Sequence, residues 1–193
     1  YSKYFDFPTT KDEILITTGS QQAFDIISKV FIKKEVVVQS PTYIGALNSF
    51  KMLDIRVKES KTIGLLNTTL NENSAFYCMS DLQNPNTESY SQEDRREIAH
   101  ILKKKKAFFI EDGAYSLLNF NGRVNRPISA EYKKSFHLGS FSKIIAPGLR
   151  VGWIRADKSL IEDVLVAKES LDLHTPTLTQ MIISKYLEQN DLE

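Results

Sequence analysis

Ile14-Leu15-Ile16-Thr17-Thr18-Gly19-Ser20-Gln21-Gln22-Ala23-Phe24 reads as a β-strand that gives way, at a glycine, to a helix. The strand covers residues 14–17, an unbroken run of branched side chains. Past Gly19-Ser20 the period changes, and Ala23, Phe24, Ile27, Val30 and Phe31 fall on one helical face. The same exchange recurs along the chain. Strands are expected at 36–38, 55–58, 76–79, 107–110, 136–138 and 151–154, and a short helix at 45–51. Ser91 with Asp94 opens a further helix in a capping-box pattern. Ile98, Ile101 and Leu102 form its stripe, and the lysines at 103–106 complement the negative end of its dipole. Leu160, Ile161, Val164, Leu165 and Leu171 share a face of the next helix. Thr175 as cap and Pro176 at the first position start the last one, striped by Leu178, Ile182 and Tyr186. Residues 84–88 and Pro147-Gly148 read as turns. Such alternation specifies an α/β domain around a largely parallel sheet. With no repeat or linker in 193 residues, one domain is the simplest partition.

Composition narrows the function classes. Against 25 Lys and Arg stand 24 Asp and Glu, and a net charge of +1 gives no field to recruit nucleic acid or an anionic membrane. The lysines at 103–106 are accordingly read as a solvated helix end. A single cysteine, Cys78, excludes an intramolecular disulfide and a cysteine-rich zinc site, which favours a reducing compartment and so the cytoplasm. His100, His137 and His174 lack ligand spacing, so no metal site is expected. No apolar run approaches 18 residues. The chain opens on Tyr1 rather than Met, and both ends are expected to lie within a longer protein.

The densest chemistry is Gly139-Ser140-Phe141-Ser142-Lys143 followed by Ala146-Pro147-Gly148-Leu149-Arg150. Ser140 and Ser142, two apart on a segment leaving a strand, can turn both hydroxyls to one side. Hydroxyls plus the Arg150 guanidinium suit a phosphate monoester. Lys143, near that guanidinium and screened from water, becomes a usable amine nucleophile; the alternative reading is one more surface lysine. Thr18-Gly19-Ser20-Gln21 places free N–H groups at a helix start, an anion site or plain turn chemistry. Asp112 sits at the carboxyl end of its strand, the edge where α/β sheets bind ligands, or else caps a turn.

Ser140-Phe141-Ser142-Lys143 with Ala146-Pro147-Gly148-Leu149-Arg150-Val151-Gly152 resembles the coenzyme-lysine motif of class I/II aminotransferases. These are fold-type-I pyridoxal 5′-phosphate enzymes, and the nearest branch is that of kynurenine and 2-aminoadipate aminotransferases. Thr17-Thr18-Gly19-Ser20-Gln21-Gln22, Ser40-Pro41-Thr42-Tyr43, Asn84-Pro85, and Glu111-Asp112 with Tyr115 match further blocks in the same order. The resemblance implies that residues 1–193 form the large, coenzyme-binding domain, with a mostly parallel mixed sheet flanked by helices. It implies that Lys143 holds pyridoxal 5′-phosphate as a Schiff base and moves the proton between Cα and C4′. Asp112 would pair with the pyridine nitrogen, Tyr115 and Asn84 would bond the phenolic oxygen, and Tyr43 would stack on the ring. Ser20, Gln21, Ser140, Ser142 and Arg150 would hold the phosphate. An α-amino acid and a 2-oxo acid would be the substrates, in a homodimer.

Departures accompany the match. The family's Asn-Pro-Thr-Gly appears as Asn84-Pro85-Asn86-Thr87, without the glycine. Ala114 stands where many relatives have Pro, and Gly113 where an acidic residue is frequent; both are expected to loosen the loop after Asp112. The family's arginine for the substrate carboxylate and its N-terminal segment have no counterpart here, so the 193 residues alone are expected not to turn over. The same motifs are shared by the aminotransferase-like domain of MocR-type transcription regulators, where the coenzyme is a sensed ligand. Of the remaining residues, His137 reads as a core or near-site histidine, His174 as part of a helix junction and His100 as solvated. Cys78 reads as buried, and Trp153 as sheet packing.

Overall fold

The computed structural model describes residues 1–118, 122, 124–190 and 192. Seven strands build one sheet: β1 (Ile14–Thr17), β2 (Glu35–Gln39), β3 (Arg56–Ser60), β4 (Ala75–Cys78), β5 (Phe108–Asp112), β6 (Ser135–Ser140) and β7 (Gly152–Ala156). Their order is β1-β7-β6-β5-β4-β2-β3. The pairs β3/β2, β2/β4, β4/β5 and β5/β6 are parallel, while β7 lies antiparallel to both β6 and β1. The helices are α1 (Ser2–Phe5), α2 (Gly19–Phe31), α3 (Ile44–Met52), α4 (Ile63–Thr69), α5 (Gln92–Lys105), α6 (Lys158–Asp172) and α7 (Thr177–Gln189).

The central strands β4 and β6 are buried along their whole length, as strands covered on both faces must be. Alternate residues divide between two cores. Tyr77, Ile110, Phe136 and Leu138 pack with Phe24 and Ile27 of α2 and Phe50 of α3. Phe76, Cys78 and Phe109 pack with Leu66 of α4 and with Ile98 and Leu102 of α5. The capping box expected at Ser91 forms: its hydroxyl accepts from the Asp94 N–H, and the Asp94 carboxylate accepts from the Ser91 N–H at 3.0 Å. No helix among the described residues is long and apolar enough to cross a membrane.

Three local expectations need correction. Helix α4 is unanticipated because Gly64, Asn67, Thr68 and Thr69 are poor helix formers; burial of Leu66 and a cap in which the Thr62 hydroxyl accepts from the Leu65 N–H supply the stability. Thr175 does not cap α7. It is buried, its hydroxyl donates to the Ile16 carbonyl at 3.2 Å, and Pro176 takes the cap position. The last stripes are not core. Ile161 and Val164 bury the face of α6, whereas Leu165, Leu171, Leu178, Ile182 and Tyr186 are exposed.

Candidate functional site

At the carboxyl edge of β4, β5 and β6, a cavity of about 180 Å³ is lined by Ser20, Gln21, Tyr43, Asp112, Tyr115, Ser140, Ser142, Lys143 and Arg150. Five separate segments contribute. Ser20 and Gln21 belong to the first turn of α2, Tyr43 precedes α3, Asp112 ends β5, Tyr115 follows in the next turn, and Ser140 ends β6. Nine of the ten residues singled out above thus meet at one place. The tenth, Asn84, does not line this cavity. Its turn closes on itself: Gln83 N–H donates to the Glu88 carbonyl at 2.8 Å and Leu82 N–H to the Ser89 hydroxyl at 2.9 Å. Gln83, Asn86 and Glu88 of that turn line a neighbouring cavity instead.

The floor is a buried carboxylate. Asp112 Oδ2 accepts from the Tyr77 hydroxyl at 2.9 Å, and Oδ1 from the Ala114 N–H at 3.1 Å. Burial raises the carboxyl above its ordinary range, and these two bonds, from neutral donors, only partly offset it. Burial and the Asp112 charge push the Tyr77 phenol well above its usual value, so it stays a donor. Tyr77 was not foreseen. The available signal was a phenol inside a fully buried strand, where the hydroxyl must find a partner. The neighbouring Glu111 faces the opposite side of the sheet, accepting from the Ser80 hydroxyl at 2.6 Å and from the Ile128 and Ser129 N–H groups.

The loop after Asp112 is not loose. Gly113 N–H donates to the Leu138 carbonyl at 2.9 Å, and Ser116 N–H to Gly113. A side chain at 113 would collide with His137, and a proline at 114 would forfeit the bond to Asp112. Thr87, which stands where the family motif has glycine, takes the left-handed conformation, φ 61°.

On the donor side, Gly19 (φ +78°) lets the Arg150 guanidinium lie against the α2 N-terminus; a Cβ there would sit 2.6 Å from Nη2. Gly152 does the same for the backbone, since its Cβ would lie 2.7 Å from Ser20 N and from Gly139 O. The Ser140 hydroxyl accepts from the Ser142 N–H at 3.1 Å, an arrangement that leaves its proton free to donate. The Gln21 side-chain amide donates to the Ser49 hydroxyl at 2.9 Å. The Tyr43 ring folds over Gly45, where a methyl group would collide with it. Lys143 Nζ lies 5.5 Å from the Tyr115 ring centroid. Lys143 and Arg150 are exposed, so the expected screening of the lysine from water is not supplied by the cavity walls.

His137 and Trp153 have structural settings. His137 is buried, with Nδ1 2.8 Å from the Tyr1 hydroxyl; that hydroxyl accepts from Trp153 Nε1, so its proton goes to His137, whose Nε2 has no partner. Trp153 lies over Gly139 on the neighbouring strand. No cluster of metal-ligating side chains occurs among the described residues. A larger cavity, about 630 Å³, opens among Tyr4, Phe5, Trp153 and Leu187, and neither Asp112 nor Lys143 lines it.

The profile of the family described as "Aminotransferase class I and II" matches residues 2–193. An aromatic-amino-acid aminotransferase of Thermococcus litoralis is 34% identical over 98% of this chain and 49% of its own length. The α-aminoadipate aminotransferase of Thermus thermophilus, solved in complex with N-(5′-phosphopyridoxyl)-L-leucine, superposes with a TM-score of 0.85 at 29% identity; the match covers 92% of this chain and 50% of that one. An uncharacterized HTH-type transcriptional regulator of Bacillus subtilis is 29% identical over 93% of this chain and 40% of its own length. The chain spans about half the length of the curated aminotransferases it matches.

Proposed function

The chain belongs to the class I and II aminotransferase family, and from that premise we propose that it binds pyridoxal 5′-phosphate in the Asp112–Lys143 cavity and serves amino transfer from an α-amino acid to a 2-oxo acid. The observation that carries this reading is the meeting of a buried carboxylate, an amine and a set of anion donors in one cavity. The donor set fits the coenzyme. Asp112 is desolvated yet has only neutral partners, so a protonated ring nitrogen supplies the positive charge it lacks. Ser20, Ser140, Ser142, Arg150 and the N–H groups opening α2 suit a phosphate dianion.

When bound, the coenzyme supplies an electron sink for the carbanion left when Cα loses its proton. The remaining work belongs to the chain. Asp112 keeps the ring nitrogen protonated, and Tyr77 keeps Asp112 ionised and oriented. Lys143 would hold the coenzyme through its aldehyde and would serve as the base for the substrate Cα proton. Tyr115, beside Lys143, would donate to the coenzyme's phenolic oxygen, and Tyr43 would pack against its ring. The role first given to Asn84 requires its turn to swing toward the cavity. The cations lining the cavity are Lys143 and Arg150. With both assigned, none among the described residues that line the cavity is left for the substrate carboxylate, and the 193-residue chain is expected to hold coenzyme without turnover. A second copy would cover the exposed Leu178, Met181 and Ile182 of α7.

The regulator relative favours a second reading, in which the same cavity senses the coenzyme for an attached DNA-binding domain. The product of the complete reading frame decides. Transamination of any α-amino acid in the presence of pyridoxal 5′-phosphate supports the enzyme; coenzyme-dependent DNA retention without transamination supports the regulator.

A further inference from the structure

Behind the first turn of α2 lies a charged pair that the coenzyme reading does not use. Lys168 on α6 is only 2% exposed, and its Nζ donates to Asp172 Oδ1 at 2.6 Å, one turn along the same helix. The other oxygen, Oδ2, accepts from Gln22 Nε2 at 2.7 Å and from the Thr18 hydroxyl at 3.5 Å. Gln22 then turns its Oε1 to the Thr18 backbone N–H, 2.8 Å away. One run of bonds therefore connects a buried cation on α6 to the residue that precedes α2.

Helix stability does not account for the pair. A buried lysine is costly to desolvate, and an apolar side chain of similar volume would pack between α2 and α6 without that cost. A carboxylate as the last residue of α6 opposes that helix's own dipole. The turn it reaches does need a restraint. Gly19 is left-handed and has no side chain to hold it, and orphan N–H groups bind a dianion only when they converge.

We propose that Lys168 and Asp172 are positioning residues that, through Gln22, pin Thr18 and so aim the N–H groups of Gly19, Ser20 and Gln21 into the cavity as its phosphate cradle. This rests on the coenzyme reading above. Because the latch acts on the phosphate end alone, its loss weakens binding of the phosphorylated coenzyme and spares the unphosphorylated one.

Lys168→Met and, independently, Gln22→Ala in the 193-residue chain are titrated with pyridoxal 5′-phosphate and with pyridoxal. Each variant should lose about tenfold in affinity for the first and under about twofold for the second, with Lys168→Arg recovering most of the loss. No loss, or an equal loss for both aldehydes, overturns the latch. Backbone amide exchange adds a measurement that needs no coenzyme: amides 19–22 should exchange faster in both variants while the second half of α2 is unchanged. Unaltered exchange at 19–22 overturns the latch. A wild-type chain that binds neither aldehyde counts against the coenzyme reading instead, and amide exchange still decides the latch.

Discussion

The Tyr77 hydroxyl donates to Asp112 Oδ2 at 2.9 Å, from one buried strand to the end of the next, beneath the floor of the cavity. Every other feature of the site is arranged around a carboxylate that the fold has taken out of water and left with neutral partners.

Tyr77→Phe removes a hydrogen bond to a charged acceptor, worth about 1.5–3 kcal/mol. Affinity for pyridoxal 5′-phosphate should fall roughly ten- to a hundredfold, since each 1.4 kcal/mol is about tenfold. Coenzyme titration of the variant checks this. Unchanged affinity would mean that Asp112 does not carry the ring's counter-charge.

The same carboxylate makes the coenzyme-free chain sensitive to pH. Asp112 titrates above its ordinary value in the fold, so folding favours its protonated form. That contribution is complete below the unfolded value and is lost as pH rises through the elevated one. Asp112→Asn should therefore flatten the decline in stability above the ordinary carboxylate range and be more stable than wild type at neutral pH, while losing coenzyme binding. Urea midpoints across pH test it. Parallel curves for the two proteins would contradict it.

Gly152→Ala would set a methyl group 2.6–2.7 Å from Gly19 C, Gly139 O and Ser20 N, all of them backbone. Nothing there can rotate away, so β7 and the start of α2 must part. A stability loss of about 1–3 kcal/mol is expected by thermal unfolding, with coenzyme affinity falling in step. A neutral substitution would show that this close approach is not required.

Thr87 occupies the left-handed region at φ 61°, where a β-branched residue costs about 1–2 kcal/mol and glycine costs little. Thr87→Gly, the residue of the family motif, should raise the melting temperature by a few degrees after the entropy of glycine is subtracted. A lowered melting temperature would show that the threonine side chain contributes more than its backbone strain costs.

What could be read from the chain was what local pattern encodes. Strand–helix alternation placed all seven strands to within two residues, because burial on both faces leaves short apolar runs such as Val36–Val38 in β2 and Ala75–Cys78 in β4. The Ser140–Arg150 cluster and Asp112 stood out because catalytic groups gather where strands end. Tyr77 was hidden by looking like any aromatic core residue, and Lys168 by looking like any helix lysine. Its role depends on Gln22, whose bond to Asp172 spans 150 positions. The face of α6 split for the same reason: which side of an amphipathic helix is covered depends on what lies across from it.

Borohydride trapping of the chain after incubation with pyridoxal 5′-phosphate, followed by peptide mapping, tests the central assignment most directly. The account predicts a single stoichiometric modification at Lys143, lost in Lys143→Ala and weakened in Asp112→Asn. Label scattered over exposed lysines, or retained in Lys143→Ala, would contradict it.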